Sequence, residues 1–594
     1  MRIGVTVVTA GIVGGLGLTG VPQAAVAACA PAPASAVVDA LDIGALHDDG
    51  LTGEGLTIGV ISTSYDNADS PAATSAADDV ASGALPGAAN PCGWEQPVRV
   101  LHDDAPSDDE GRAMLQIVHA IAPAADLVFT TASSAEAHGG ASEDASMAAA
   151  IDDMIAADVD IIVDDILLIT DTAYSPGLAA AAAERAVDAG IVYTVAAGNL
   201  NFVGASSIDG VPQASDDALI ASWQTTEFRA AACPPAVDAA MAPATVECLD
   251  FDPGADEDPT SGYRLYGEPG MDLQTRAVLQ WSDPPYAVES QLTGFFLDDD
   301  GAVTDVVENM LLVEDLPVAL GEVFGGLPDE QPIDRYLVIA REGPALTEPL
   351  AVRFAFWDNS VPRPVQAAEY FTSTATDTVG PTLIGRAANP SAVTVAAAPL
   401  ADPTQLESFS STGPQVRYYA PAPAGVVPAR LAEPEVRVGP TVTGLDGIPT
   451  TFFGEDVDGT WMYYGTSAAT PVVGAVLALG LQTAPQTELT DLVAALTASA
   501  QPLSSPWRGA SAAETAGAGL VDPVAFVGRL APGPAPAPTP SVSPSSAASG
   551  AGSGALAASG STVPALGAGL AGLLVAAGVA AVLHTRRSAS TRER

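Results

Sequence analysis

The chain has 594 residues, of which 48% are hydrophobic, and it carries 72 acidic residues against 21 basic ones, a formal net charge of −51. So acidic a chain is repelled by nucleic acid and by anionic lipid, which sets aside nucleic acid as a partner. Every basic residue is arginine, and without lysine there is no Walker-type phosphate loop, no Schiff-base chemistry and no Ser–Lys dyad.

Residues 1–28 read as a signal peptide, with Arg2, an apolar run and the small-x-small site Ala25-Val26-Ala27. Val26-Ala27-Ala28-Cys29 also loosely matches a lipobox, which leaves lipidation of Cys29 open. Cys29, Cys92, Cys233 and Cys248 are widely spaced with no CxxC, so no zinc site is expected, nor any other metal or cofactor. In an exported chain Cys233 and Cys248 are expected to form a local disulfide, and Cys29 and Cys92 are available for a second.

Residues 51–67 open with Gly-x-Gly and predict an alternating strand, Leu56 to Ile61, that ends in Ser62-Thr63-Ser64 with Asp66 beyond. In residues 97–121 a strand (Val98–Leu101) and an acidic loop lead into a helix opened by Glu110-Gly111. Met114, Ile117, Val118 and Ile121 lie on one stripe of that helix, and Glu110 stands at its N-terminal end, aimed inward. His119 falls about 180° away from Glu110 at roughly 100° per residue. His47, His102, His138 and His584 have no setting suited to a general base. Residues 159–168 predict a buried parallel strand, with Asp164 and Asp165 near the C-terminal end where ligands bind in such sheets. Carboxylates there read either as a solvated strand end or as a functional pair, since burial without a partner is costly. Residues 191–199 are a further buried strand ending in Ala-Ala-Gly-Asn199.

From 221 to 378 the pattern changes to short alternating strands, Val278–Trp281, Leu292–Leu297, Tyr336–Arg341 and Val352–Trp357, which predict an inserted β-sandwich. The turn Asp298-Asp299-Asp300-Gly301 reads as a hairpin tip rather than a calcium loop. The α/β pattern then resumes over 379–530, with a strand at Ala392–Ala397, the string LESFSSTG at Leu406–Gly413, and the segment Pro440–Phe453. There follow the string GTSAATP at 465–471 and a last helix at 487–500. After GTSAATP the sequence is apolar on all sides, so the helix it opens is expected to be buried with Ser467 in its first turn. Free backbone N–H groups and the helix dipole would then stabilise an oxyanion beside Ser467. Residues 531–562 form a Pro/Ser/Gly-rich linker. Within 563–594, Val563–Leu583 is long and apolar enough to span a bilayer, followed by His584 and Arg586-Arg587 on the expected inner side. Leu556 to Gly560 loosely resembles a sortase signal.

GTSAATP resembles the nucleophile motif of subtilisin-like serine peptidases, GTSxxxP. The strand ending at Thr63, the DEGRAM string around Glu110, the VDD strand, AAGN and GTSAATP follow that family's order. The resemblance covers residues 29–220 and 379–530, either side of the insert. It implies an α/β fold, a mainly parallel sheet flanked by helices, interrupted by the all-β sandwich. It also implies peptide-bond hydrolysis of protein or peptide substrates, with Ser467 as nucleophile, Asn199 as oxyanion donor and Glu110 in the place of the usual histidine. In that last respect the chain is similar to sedolisin-type serine-carboxyl peptidases, and Asp165 is placed to share a proton or hydrogen bond with Glu110. Thr63 departs from the family, which carries aspartate there, and both Asp66 and Asp165 are open as replacements. With glutamate as base, an activity optimum below neutrality is expected, in an enzyme exported and anchored at the cell surface through its C-terminal helix. A second reading, resting on Thr63, is a degenerate peptidase kept as a binding or adhesion module.

Overall fold

A strand of five buried residues out of six, Thr57–Ser62 (β1), lies inside a seven-stranded sheet. Its companions are Arg99–His102 (β2), Asp126–Thr131 (β3), Ile161–Asp164 (β4), Val192–Ala196 (β5), Val393–Pro399 (β6) and Val442–Asp446 (β7). Their order is β2-β3-β1-β4-β5-β6-β7, and every pairing is parallel. The computed structural model describes residues 32–68, 72–134, 142–267, 275–308, 315–324, 331–357 and 363–531. The predicted signal peptide, linker and membrane segment lie outside them, as do Cys29, His138, Leu556 and His584.

The strands inside the sheet are buried on both faces, as continuous apolar strands require, while the edge strand β2 is exposed to half-buried. Two helices matter most to the site. Glu110–Ile121 buries Met114, Ile117, Val118 and Ile121 completely. Thr466–Thr483 is buried at every residue from Ala468 to Leu481 and packs against the Glu110 helix and against β4 to β7. It is long and apolar enough to cross a membrane, but 78% of it is buried inside the protein, so it is the core helix of the domain. Chain order places β2 and β3 on one side of β1 and β4 on the other, so the C-terminal ends of β1 and β4 flank a topological switch point.

The 159–168 segment departs from expectation in one respect. Only Ile161–Asp164 is strand. The Asp164 Oδ1 accepts the Ile166 N–H at 2.9 Å, which turns the backbone out of the sheet and leaves Asp165 in the loop over the strand end.

Between β5 and β6 lie two antiparallel sheets. The five-stranded one runs in the order Val318–Val323, Thr275–Trp281, Val352–Trp357, Ser222–Thr225, Asp377–Val379. The other is built around Ile333–Glu342 and Gln291–Leu297. Alternate residues of both sheets, among them Trp223, Trp281, Phe296, Phe354 and Phe356, form a shared aromatic core. Cys233 and Cys248 are joined in a disulfide with their Cα atoms 5.0 Å apart. Asp298 Oδ1 accepts from the N–H groups of Asp300 (3.1 Å) and Ala302 (2.8 Å), which closes a hairpin tip.

Candidate active site

At the C-terminal ends of β1, β4 and β5 a cavity of about 510 Å³ opens. Ser467, Glu110, Asn199 and Asp165, the four residues singled out from the sequence, all line it.

Glu110 is fixed by the turn that precedes it. Asp109 takes a left-handed conformation (φ 61°), and its buried carboxylate accepts from Ser64 Oγ (2.8 Å) and from the Asn67 N–H (2.9 Å). Gly111 follows because a Cβ there would meet the Phe129 ring at 2.2 Å and the Ser64 carbonyl at 2.9 Å. Arg112, wholly buried, ties the start of the helix to its surroundings. It donates to the Tyr65 carbonyl (2.7 Å), to Asp109 (3.1 Å) and to Asp79, and its guanidinium lies 3.7 Å from the Phe452 ring centre. Gly111 and Arg112 therefore act on position, and their side chains stay out of the cavity.

The Glu110 carboxyl receives a hydrogen bond from Tyr463, whose hydroxyl donates to Oε1 at 2.7 Å. Ser467 lines the cavity beside both groups and favours the ionised form of Glu110. Burial pushes the Glu110 carboxyl up to about 7; the Tyr463 hydrogen bond works against that rise and the nearby Asp108 charge adds to it. Burial also holds the Tyr463 phenol well above its usual range, so it remains a donor.

Asp164 and Asp165, adjacent in sequence, have opposite surroundings. Asp164 Oδ2 accepts from Arg386 Nε (2.7 Å) and from the Tyr193 hydroxyl (2.6 Å), so its charge is paired. Asp165 is buried, with 7% exposure, and takes a donor only on Oδ2, from Ser62 at 3.2 Å; Oδ1 has none among the described residues. Burial and then the neighbouring Glu110 charge push Asp165 well above the carboxylate range. Two neighbouring carboxyls buried together disfavour carrying two charges at once, so they titrate as a pair. The solvated strand end is thus excluded for Asp165.

Asn199 is oriented by the helix that carries Ser467. Its Oδ1 accepts from the Thr466 N–H (3.0 Å) and the Thr466 hydroxyl (3.1 Å), which leaves its amide Nδ2 as the group available to the cavity. The Gly198 N–H donates to the Thr466 hydroxyl at 3.0 Å and completes the lock. Ser467 is the second residue of its helix, where no intrahelical carbonyl reaches the N–H. Gly465 before it has φ 114°, and a Cβ there would stand 3.0 Å from Asn199 Nδ2. Its own N–H donates to Asp446 Oδ2 at 2.9 Å.

Thr63, at the end of β1, donates its hydroxyl to Asp108 Oδ1 at 2.7 Å. The same oxygen accepts the Glu110 N–H at 3.3 Å. Asp66, open from the sequence as a replacement acid, is exposed; its Oδ1 accepts the Ala76 N–H (3.0 Å), and it does not line the cavity. Asp165 does. Tyr463 and Asp108 were not anticipated. Asp108 lies two residues before Glu110 in a run of acids, whereas nothing in the pattern around Tyr463 marks it out.

His119 is buried beside Asn90, with its Nε2 3.5 Å from Asn90 Nδ2, and burial pushes it down to about 4. It lies away from the cavity and stays neutral. Among the described residues no group of three or more His, Cys, Asp or Glu side chains is placed to hold a metal ion.

The subtilase family, Peptidase_S8, matches residues 104–519, and the chain belongs to that family. Its fold is that of a subtilase-type serine protease. Similar solved structures include the CspB protease of Clostridium perfringens, with 12% identity over 83% of this chain and 98% of that one and a TM-score of 0.47. Another is MycP1 of Mycobacterium smegmatis, with 14% identity over 83% and 84% of the two chains and a TM-score of 0.34. A third is the prenylagaramide maturation protease PagA, with 11% identity over 82% and 98% and a TM-score of 0.34. No curated protein matches the sequence.

Proposed function

We propose that the protein is a serine endopeptidase in which Glu110, not a histidine, activates Ser467. The observation that carries this is the placement of the Glu110 carboxyl, held by Tyr463, beside Ser467 in the lining of one cavity. Ser467 attacks the scissile carbonyl and gives its proton to ionised Glu110, which returns it to the leaving amine. Asn199 Nδ2 and the Ser467 N–H receive the negative charge on the carbonyl oxygen. Water then hydrolyses the acyl-enzyme with Glu110 again as base. Asp165 keeps its proton through the cycle and steadies the Glu110 charge.

Work outside the cell, with the chain anchored through 563–594, is part of the same proposal and rests on the sequence of the two ends. The reading as a binding module rests on Thr63.

One experiment separates the two. The purified protein is treated with a fluorophosphonate and, separately, with casein from pH 4 to 9, beside Ser467→Ala and Glu110→Gln. Labelling at Ser467 and cleavage lost in both variants support the peptidase. A folded protein that neither labels nor cleaves at any pH is the binding module.

A further inference from the structure

The insert does more than hang from the scaffold. In its five-stranded sheet, Ala277, Leu279 and Trp281 point into the sandwich core, so Arg276, Val278 and Gln280 share the outer face of that strand. At one end of this face the insert docks on the scaffold. Gln280 Nε2 donates to the Asp171 carbonyl at 2.6 Å, and Arg353 Nη2 to the Pro381 carbonyl at 3.3 Å. Asp171 in turn pairs with Arg386, the residue that holds Asp164. The face is therefore anchored to the floor of the active site. Two strand pairs further along, Arg276 emerges exposed. Its register partners are Glu322 on one side and Trp357 on the other, so the three side chains form a row across three strands. All three line the same cavity as Ser467 and Glu110.

Arg276 is the only cation among the described residues lining that cavity. In a chain with 72 acids to 21 arginines, a lone cation in an acidic cleft is informative. Arg112, Arg185, Arg229, Arg264, Arg386 and Arg417 are all engaged in ion pairs. Arg276, even with Glu322 opposite, closes none among the described residues.

We infer that the insert forms the substrate-recognition wall of the cleft, and that Arg276 binds a carboxylate of the peptide, packed against Trp357. This rests on the proposed peptidase reading. A guanidinium fork suits a carboxylate in two-point contact, and a partly dehydrated cleft strengthens the pair. The carboxylate is either an Asp or Glu side chain or the C-terminal carboxylate of the peptide, and it competes with Glu322 for Arg276.

The test uses the full chain with Ser467→Ala, so that binding is read without cleavage, by anisotropy of fluorescent peptides. The peptides differ only in Glu against Gln at one internal position, and in a free against an amidated C-terminus. A carboxylate worth about tenfold in affinity in one of the two series is expected. The series that responds names the source. In Arg276→Gln the advantage disappears, in Arg276→Glu it inverts, and in Glu322→Gln it grows. If neither carboxylate improves binding, or if the advantage survives Arg276→Gln, the inference falls. The same peptides are given to the Ser467 protein. Arg276-dependent binding without cleavage overturns the peptidase reading and leaves the recognition wall standing. Cleavage indifferent to Arg276 does the reverse.

Discussion

The Tyr463 hydroxyl donates to Glu110 Oε1 across 2.7 Å, joining the strand that leads into the nucleophile helix to the first residue of the base helix. The contact spans the whole insert and works against the rise that burial imposes on the Glu110 carboxyl. A donor to a carboxylate favours its ionised form, so Tyr463 holds Glu110 below the value burial alone would give.

That fixes the sign of a pH effect. Glu110 must be ionised to accept a proton, and its carboxyl is pushed up to about 7. With Glu110 as the base, activity is expected to rise with pH as its carboxyl ionises, and burial moves that limb upward from the ordinary carboxylate range. In Tyr463→Phe the lowering contact is gone, so the acid limb moves to higher pH. The profile of kcat/KM against pH checks both statements, and a limb that stays in place in the variant removes Tyr463 from the mechanism.

Asp108 acts in the opposite sense. Its charge raises Glu110, so Asp108→Asn shifts the acid limb to lower pH. Thr63→Asp, which restores the family's usual residue, sets a second carboxylate against Asp108 in place of a hydroxyl at 2.7 Å. The expected outcome is a loss of rate at neutral pH, with the acid limb displaced upward. A gain in kcat would show that Thr63 is a lesion.

Asn199→Ala removes the proposed oxyanion donor and is expected to cost on the order of 100- to 1000-fold in kcat with KM little changed. Gly465→Ala gives a smaller fall of the same kind, because its Cβ crowds Asn199 Nδ2 at 3.0 Å and the backbone there has φ 114°. Steady-state kinetics on one peptide distinguishes the two, since neither substitution touches Glu110.

Asp446 yields a stability prediction. One oxygen accepts the Gly465 N–H, the other is buried without a donor among the described residues, and burial pushes the carboxyl up to about 7. The folded state then holds this proton more tightly than the unfolded chain does. Its stabilising contribution is full below about pH 4 and is lost as pH rises to about 7. Asp446→Asn should flatten the slope of unfolding free energy between those values by about one proton, measured by denaturant titration at several pH values.

The parts of the site that were legible in the sequence are those where one residue type has one reason to be there. Ser467 opens a helix with no polar face, Glu110 begins a clean apolar stripe, and Asn199 ends a buried strand. Asp165 was legible as a cost, a carboxylate where none belongs, but only the fold distinguishes it from Asp164, since the arginine that pairs with Asp164 lies 222 residues away. Tyr463 and Arg276 were illegible for a similar reason. Each sits in an ordinary alternating strand, and its neighbours are set by register and crossover rather than by local pattern. The end of the 159–168 strand was misplaced because an Asp side chain, not a loss of apolar character, turns the chain at Ile166.

The separation of Glu110 from Ser467 by 357 positions, with the whole β insert between them, has a bearing on when such an enzyme becomes dangerous. A growing chain contains the proposed base, oxyanion donor and recognition wall before residue 467, the proposed nucleophile, is made. The helix that carries Ser467 is also the one that aligns Asn199 through Thr466. On the proposed mechanism, a chain that stops short of this helix has neither nucleophile nor an aligned Asn199.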